Sequence, residues 1–295
     1  MIFLFSDDID FLTKNIFMSI MRKYTEVALC YDFDGTLAAG NMQEYGFLKK
    51  LGMSPRDFWA KSDEMAVNWK ADNNLCYMKC MLEEAKARKI AFKREDFVAC
   101  GQDITFFEGV EEWFERINAY ALSKGIILSH YIISSGLEEI VEGSKIAKHF
   151  KQLYACSFMY NEYGEAEWPA RIVNYTDKTQ YLFRINKGCL DPRDRSVNAV
   201  MSHEDRPVPF KHMIYFGDGD TDVPSMSMIK GFGGYAVAVY QPYRSKSKAR
   251  AKKLFDDGRV NIYAQADYSA GKKIDRYIKH VISKIAADEK LENFK

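Results

Sequence analysis

Two carboxylates stand one residue apart where an apolar run stops, in Leu29-Cys30-Tyr31-Asp32-Phe33-Asp34-Gly35-Thr36-Leu37. A second acidic turn, Gly217-Asp218-Gly219-Asp220-Thr221-Asp222, follows another apolar run, and a hydroxyl-rich turn, Ile132-Ile133-Ser134-Ser135-Gly136, follows a third. Buried like charges are costly unless a cation or a shared proton relieves them. A cluster of Asp32, Asp34, Asp218 and Asp222 would be an oxygen-only donor set, which suits a hard cation such as magnesium completed by a phosphate oxygen. A carboxylate shielded by such an ion can attack phosphorus, and an acid two residues on can carry the proton of the leaving oxygen. The hydroxyl of Ser134 and a lysine would hold the remaining phosphate oxygens, where charge builds up during transfer.

For these turns to meet, each must end a strand on the same side of one sheet. Val27 to Tyr31, Ile126 to Ile133, Tyr154 to Phe158, His212 to Phe216, Gly234 to Tyr240 and Val260 to Ala264 read as short apolar strands bounded by turn residues. A hairpin turn at Asn161-Glu162-Tyr163-Gly164 predicts a return arm near Trp168 to Tyr175. Helices are expected after Gly109, after Gly136 (Leu137, Ile140, Val141 and Ile146 as its stripe), from Lys178 to Ile185, and from Ile274 to Ile285. Strands alternating with helices imply a doubly wound, mostly parallel α/β sheet, whose ligands sit beyond the carboxyl ends of the strands. Residues 39–105 depart from this alternation. Their apolar positions recur at helical spacing, Ser54-Pro55 is a helix start, and the stretch reads as a helical insertion.

Composition excludes several classes of partner. The 295 residues carry 42 basic and 41 acidic side chains, a formal charge of +1 that asks for neither nucleic acid nor a membrane surface. The basic run Arg244 to Lys253 has no interleaved aromatics and reads as a solvated helix face. Six scattered cysteines read as reduced thiols; Cys76 and Cys80 would share a helix face but have no companion ligands for a metal. Met1 to Phe5 lacks the basic start of a signal peptide, residues 11–20 would form an amphipathic helix, and Met21 is a second candidate start. With no run of roughly 18 apolar residues, a soluble, cytoplasmic protein is expected.

These motifs, in this order over residues 26–285, resemble the haloacid dehalogenase-like superfamily, and most closely its phosphoserine phosphatase and pyrimidine nucleotidase branches. The resemblance implies a core of residues 22–38 and 106–295 with a helical cap at 39–105, and an N-terminal extension at 1–21. It makes Asp32 the nucleophile, Asp34 the general acid/base and Ser134 the phosphate-binding hydroxyl, with Ser135 and Gly136 beside it. It makes Asp32, Asp34 (through its carbonyl), Asp218 and Asp222 the surroundings of a magnesium ion. Lys178 is the favoured motif lysine and Lys187 its rival. Dehalogenases of the superfamily lack the second aspartate, so Asp34 favours phosphate ester hydrolysis. A glutamate that recognises the substrate amine in phosphoserine phosphatases is matched at the ninth position after Asp32 by Asn41, with Glu44 three residues further on. The implied activity is a magnesium-dependent phosphatase acting on a small phosphorylated metabolite through an aspartyl-phosphate. A phosphotransferase or mutase with the same chemistry, and a non-catalytic phosphoester-binding regulator, are the alternatives.

Overall fold

The computed structural model describes residues 24–292 and residue 294; the expected helix over residues 11–20 and the possible start at Met21 lie outside the described residues. Seven strands form one sheet in the order β4-β3-β2-β1-β5-β6-β7. They are β1 (Thr25–Tyr31), β2 (Ile126–Leu137), β3 (Phe150–Tyr160), β4 (Ala166–Arg171), β5 (Met213–Gly217), β6 (Tyr235–Tyr240) and β7 (Ile262–Gln265). All neighbours run parallel except β3 and β4. Parallel strands are covered on both faces, which is why β1, with Val27 to Tyr31 wholly buried, reads as a continuous apolar run rather than an alternating one.

The core helices are α5 (Val110–Leu122), α6 (Glu138–Glu142), α7 (Asp177–Lys187), α8 (Val223–Gly231), α9 (Ser245–Asp256) and α10 (Lys273–Glu292). Helix α5 packs against α10 and α7 against α8, so the sheet is doubly wound. Between β1 and α5 the chain adds α1 (Phe47–Leu51), α2 (Pro55–Trp69), α3 (Asn73–Ala87) and α4 (Arg94–Cys100). Ser54 caps α2 by accepting from the N–H of Asp57 at 3.1 Å, with proline in the first turn. Asp72 caps α3 in the same way through Asn74 and Leu75. No helix among the described residues is long and apolar enough to cross a membrane, and all six cysteines are free and buried.

Two elements differ from expectation. Strand β2 runs on through Ser134 to Leu137 and the helix after it is a single turn that ends before Ile146, because β3 keeps pairing with β2 across a register shift as far as Leu137 and Cys156. The return arm β4 lies earlier than Trp168 to Tyr175. Past Arg171 the backbone bonds to side chains instead of a strand: the carbonyl of Val173 accepts from Asn74 at 2.9 Å and from Ser135 at 2.8 Å.

The insertion joins the core where α4 meets α6, and glycines allow the approach. A Cβ on Gly143 would stand 1.7 Å from the carbonyl oxygen of Val98, and one on Gly101 would stand 2.2 Å from that of Ile140. Gly143→Ala must therefore push two backbones apart and is expected to cost about 1–3 kcal/mol in denaturant unfolding. Gly231→Ala, where a Cβ meets open space, serves as the control; equal stability of the two would show that the close approach is not needed.

Candidate active site

The carboxyl ends of β1, β2 and β5 lie side by side, and the three unusual turns meet there. Asp32 leaves β1 with its N–H still bonded to the carbonyl of Phe216 at 2.9 Å, which fixes it beside the second acidic turn. Phe33 points the other way into the core, and the chain then folds back, the N–H of Leu37 reaching the Phe33 carbonyl at 2.9 Å. This turn needs glycine for two reasons. Gly35 has φ +77°, and a Cβ there would stand 2.4 Å from a carboxylate oxygen of Asp218. Asp34, half-buried beyond the bend, accepts from the N–H of Met42 at 3.0 Å.

Lys178 ties the turns together. It sits in the first turn of α7 with no exposed surface, and its Nζ donates to Asp32 Oδ1 at 2.9 Å and to Asp222 Oδ1 at 2.7 Å. Burial alone would lower its pKa, but Asp222 and Asp32 outweigh that and hold it above the usual lysine range. Lys187 is used elsewhere: its Nζ bonds the carbonyls of Val197 and Ala199 at 2.6 and 2.7 Å and anchors the arginine-rich segment. Of the two lysines, the structure brings Lys178 to the aspartates.

Asp32, Asp218 and Asp222 each have a carboxylate oxygen within 4.8 Å of the others, a spacing that fits the ligands of one divalent ion. Their environments differ. Asp222 has both oxygens engaged, Oδ1 by Lys178 and by the hydroxyl of Tyr215 at 2.8 Å, and Oδ2 by the N–H groups of Asp218 and Gly219 at 3.1 and 3.2 Å. Asp218 pairs with Arg250 at 3.2 Å. Burial pushes Asp218 up to about 8, with the charges of Asp32 and Asp222 adding and Arg250 opposing. Asp32 is pushed up to about 6, burial again leading and Lys178 opposing. Burial, then the charge of Asp32, lifts Asp34 well above the usual carboxylate range.

Ser134 is buried in β2 and its Oγ accepts from the N–H of Gly136 at 3.1 Å. Gly136 gives way to Asp34: a Cβ there would lie 3.3 Å from Asp34 Oδ2 and 2.1 Å from Met42 Cε. The hydroxyl of Ser135 instead donates to Val173, while its carbonyl accepts from Tyr77 of α3 at 2.9 Å. Glu44 is also fixed near the turn, its Oε1 accepting from Asn41 and from the indole of Trp59, each at 2.8 Å. Sequence reading missed Tyr215, Met42 and Arg250. Tyr215 lies within a strand, Met42 acts through its backbone, and only the helical spacing of Arg250 from buried Leu254 pointed it inward.

The raised pKa of Asp218 has a sign that can be tested. Its folded value of about 8 lies above the 3.8 of the free group, so its stabilising effect is complete below about pH 4 and is lost as pH rises toward 8. Without metal, Asp218→Asn is expected to melt above wild type by ~2–4 °C at pH 8, and the gap should shrink toward pH 5. Magnesium should raise the wild-type melting temperature at pH 8 and leave the variant unmoved. A wild type indifferent to magnesium at that pH would remove the ion from this site.

The sequence profile of the haloacid dehalogenase-like hydrolases matches residues 29–227. An uncharacterized protein of Borreliella burgdorferi is 29% identical over 278 residues, covering 85% of this chain and 95% of that protein. A substrate-bound phosphoserine phosphatase structure is similar at a TM-score of 0.52 and 14% identity, over 87% of this chain and 98% of that one. The probable phosphoserine phosphatase of Vibrio cholerae is similar at 0.55 and 11%, over 92% and 69%. At such identities the structural likeness establishes the fold.

Proposed function

Because the chain belongs to the haloacid dehalogenase-like hydrolase family, we propose that it hydrolyses a small phosphate monoester through a phosphoryl group carried on Asp32. The observation that carries this reading is the contrast between two neighbouring acids. Lys178 bonds Asp32 and favours its charged form against burial, which leaves its pKa at about 6, whereas Asp34 has no ion-pair partner among the described residues and burial, with the charge of Asp32, lifts its pKa well above the usual carboxylate range. One is poised as a nucleophile, the other as an acid.

In the first step an oxygen of Asp32 forms a bond to phosphorus, the ester P–O bond breaks, and Asp34 gives its proton to the departing oxygen. In the second step Asp34 takes a proton from water, whose oxygen attacks the same phosphorus and returns Asp32 as carboxylate with inorganic phosphate released. Ser134 Oγ and Lys178 Nζ would hold the non-bridging oxygens, and Asp222 would keep Lys178 aimed. Asp32, Asp218 and Asp222 would hold a magnesium ion, which when bound would supply charge neutralisation to the acidic cluster and Lewis-acid polarisation of the phosphoryl group. The helical insertion supports a reading as a cap: it supplies the Met42 N–H to Asp34 and the Tyr77 hydroxyl to Ser135, and it would exclude water while the leaving group is protonated.

With magnesium and an aryl phosphate, Asp32→Asn should reduce turnover to the uncatalysed background; equal turnover by variant and wild type would sink the proposal. Asp34→Asn should keep the fold and lose about 10²–10⁴ in kcat. Its defect should be larger for an alkyl phosphate than for a nitrophenyl phosphate, because a poor leaving group needs the proton more. The same loss for both would argue against Asp34 as the acid.

A further inference from the structure

The basic run that opens α9 takes no part in the chemistry above. Helix α9 follows β6, whose carboxyl end lies next to that of β5 and so beside Asp218. At its start is an open cavity of about 560 Å³ whose lining includes Arg244, Lys246 and Arg250 and no acidic residue. The arrangement is unfavourable as it stands. Arg244 and Lys246 stand at the positive end of a helix, where anions are favoured, with Arg250 just beyond the first turn. The position before the first turn, which usually carries a side-chain acceptor, is Arg244, which has none to offer. Among the described residues the side chains of Arg244 and Lys246 have no hydrogen-bond or ion-pair partner, and the Nε of Arg250 is buried without an acceptor. The turn leading in is strained as well: Tyr243, fully exposed, has φ +60°.

Arg250 links the cavity to the acidic cluster. Arg250 contacts Asp218 at 3.2 Å, and Arg244 lies within electrostatic reach of Tyr45, which also feels Asp34. We propose that Arg244, Lys246 and Arg250 bind a second anionic group carried by the leaving group, so that the preferred substrates are phosphate monoesters with a further phosphate or carboxylate. This rests on the phosphatase reading and narrows it to a substrate class. The missing acceptor at the helix start, the unpaired guanidinium and ammonium groups and the orphaned Nε would all be supplied by one such anion, through charge-assisted hydrogen bonds.

The test uses straight-chain alkyl phosphates of graded length that end in methyl, carboxylate or a second phosphate, with magnesium present. For wild type, an anionic end at the best length should lower KM roughly tenfold or more relative to methyl; the better of the two anions identifies the group. The double variant Arg244→Gln/Lys246→Gln should erase that preference, whereas Lys252→Gln, paired with Asp256 on the same helix, should keep it. Equal KM values across the wild-type series, or a preference that survives in the double variant, would overturn the proposal. If wild type hydrolyses none of the series, the phosphatase reading fails by itself. Isothermal titration of the phosphate-ended compound then decides the anion site: binding lost in the double variant supports it, and no binding to wild type overturns it.

Discussion

The ammonium of Lys178, held between Asp32 and Asp222, is the contact on which the rest of the site depends. One buried cation cannot balance Asp32, Asp34, Asp218 and Asp222 together, and burial, with the neighbouring acids adding to it, raises the pKa values of Asp218 and Asp34. It does decide which acid is relieved. By reaching Asp32 and not Asp34, Lys178 sets apart two chemically identical side chains two residues apart, favouring the charged form of the one it bonds. Lysine must do this from full burial, so everything around it is arranged to keep it there. Tyr215 and two backbone N–H groups hold Asp222 from the far side, and β5 delivers all of them.

Glycine is the complementary requirement. Acids crowd this closely only if something else is absent, and Gly35, Gly136 and Gly217 provide the room. A Cβ at Gly217 would stand 2.4 Å from Asp222 Cγ, just as one at Gly35 would strike Asp218 and one at Gly136 would press on Asp34. Gly35 and Gly136 each make room for a carboxylate of another turn, and Gly217 makes room for one of its own. The three turns are thus fitted to one another rather than built separately, which is why each is weak as a sequence signal and the set is strong.

Much of this was legible in the sequence. Parallel strands bury both faces, so they write themselves as apolar runs ending in turn residues, and Asp32, Ser134 and Asp218 were visible as the residues at those ends. The lysine was only half legible. Lys178 and Lys187 sit on one helix, and which of them faces the sheet follows from where α7 starts, set by bonds from Asn74 and Ser135 to Val173 that no local pattern announces. The extension of β2 through Ser134 was hidden for a similar reason, since pairing with β3 overrides the turn-forming tendency of serine and glycine. Arg250 was hidden by its company: amid so many lysines and arginines, a run reads as a solvated face, and the one that turns inward is marked only by its spacing from Leu254.

The two rims of the helical insertion are attached differently. Helix α4 is locked to α6 by backbone-to-backbone contact at Gly101 and Gly143, whereas α2 and α3 lie between two left-handed turn residues, Gly52 and Lys89. That makes the α2–α3 hairpin a cassette. It can be exchanged for another hairpin of similar span without disturbing the glycines, strands or lysine of the reaction centre, provided the replacement offers a donor to the carbonyl of Ser135 and another to that of Val173, as Tyr77 and Asn74 do now. Recombination between relatives, or design, has a natural cut here.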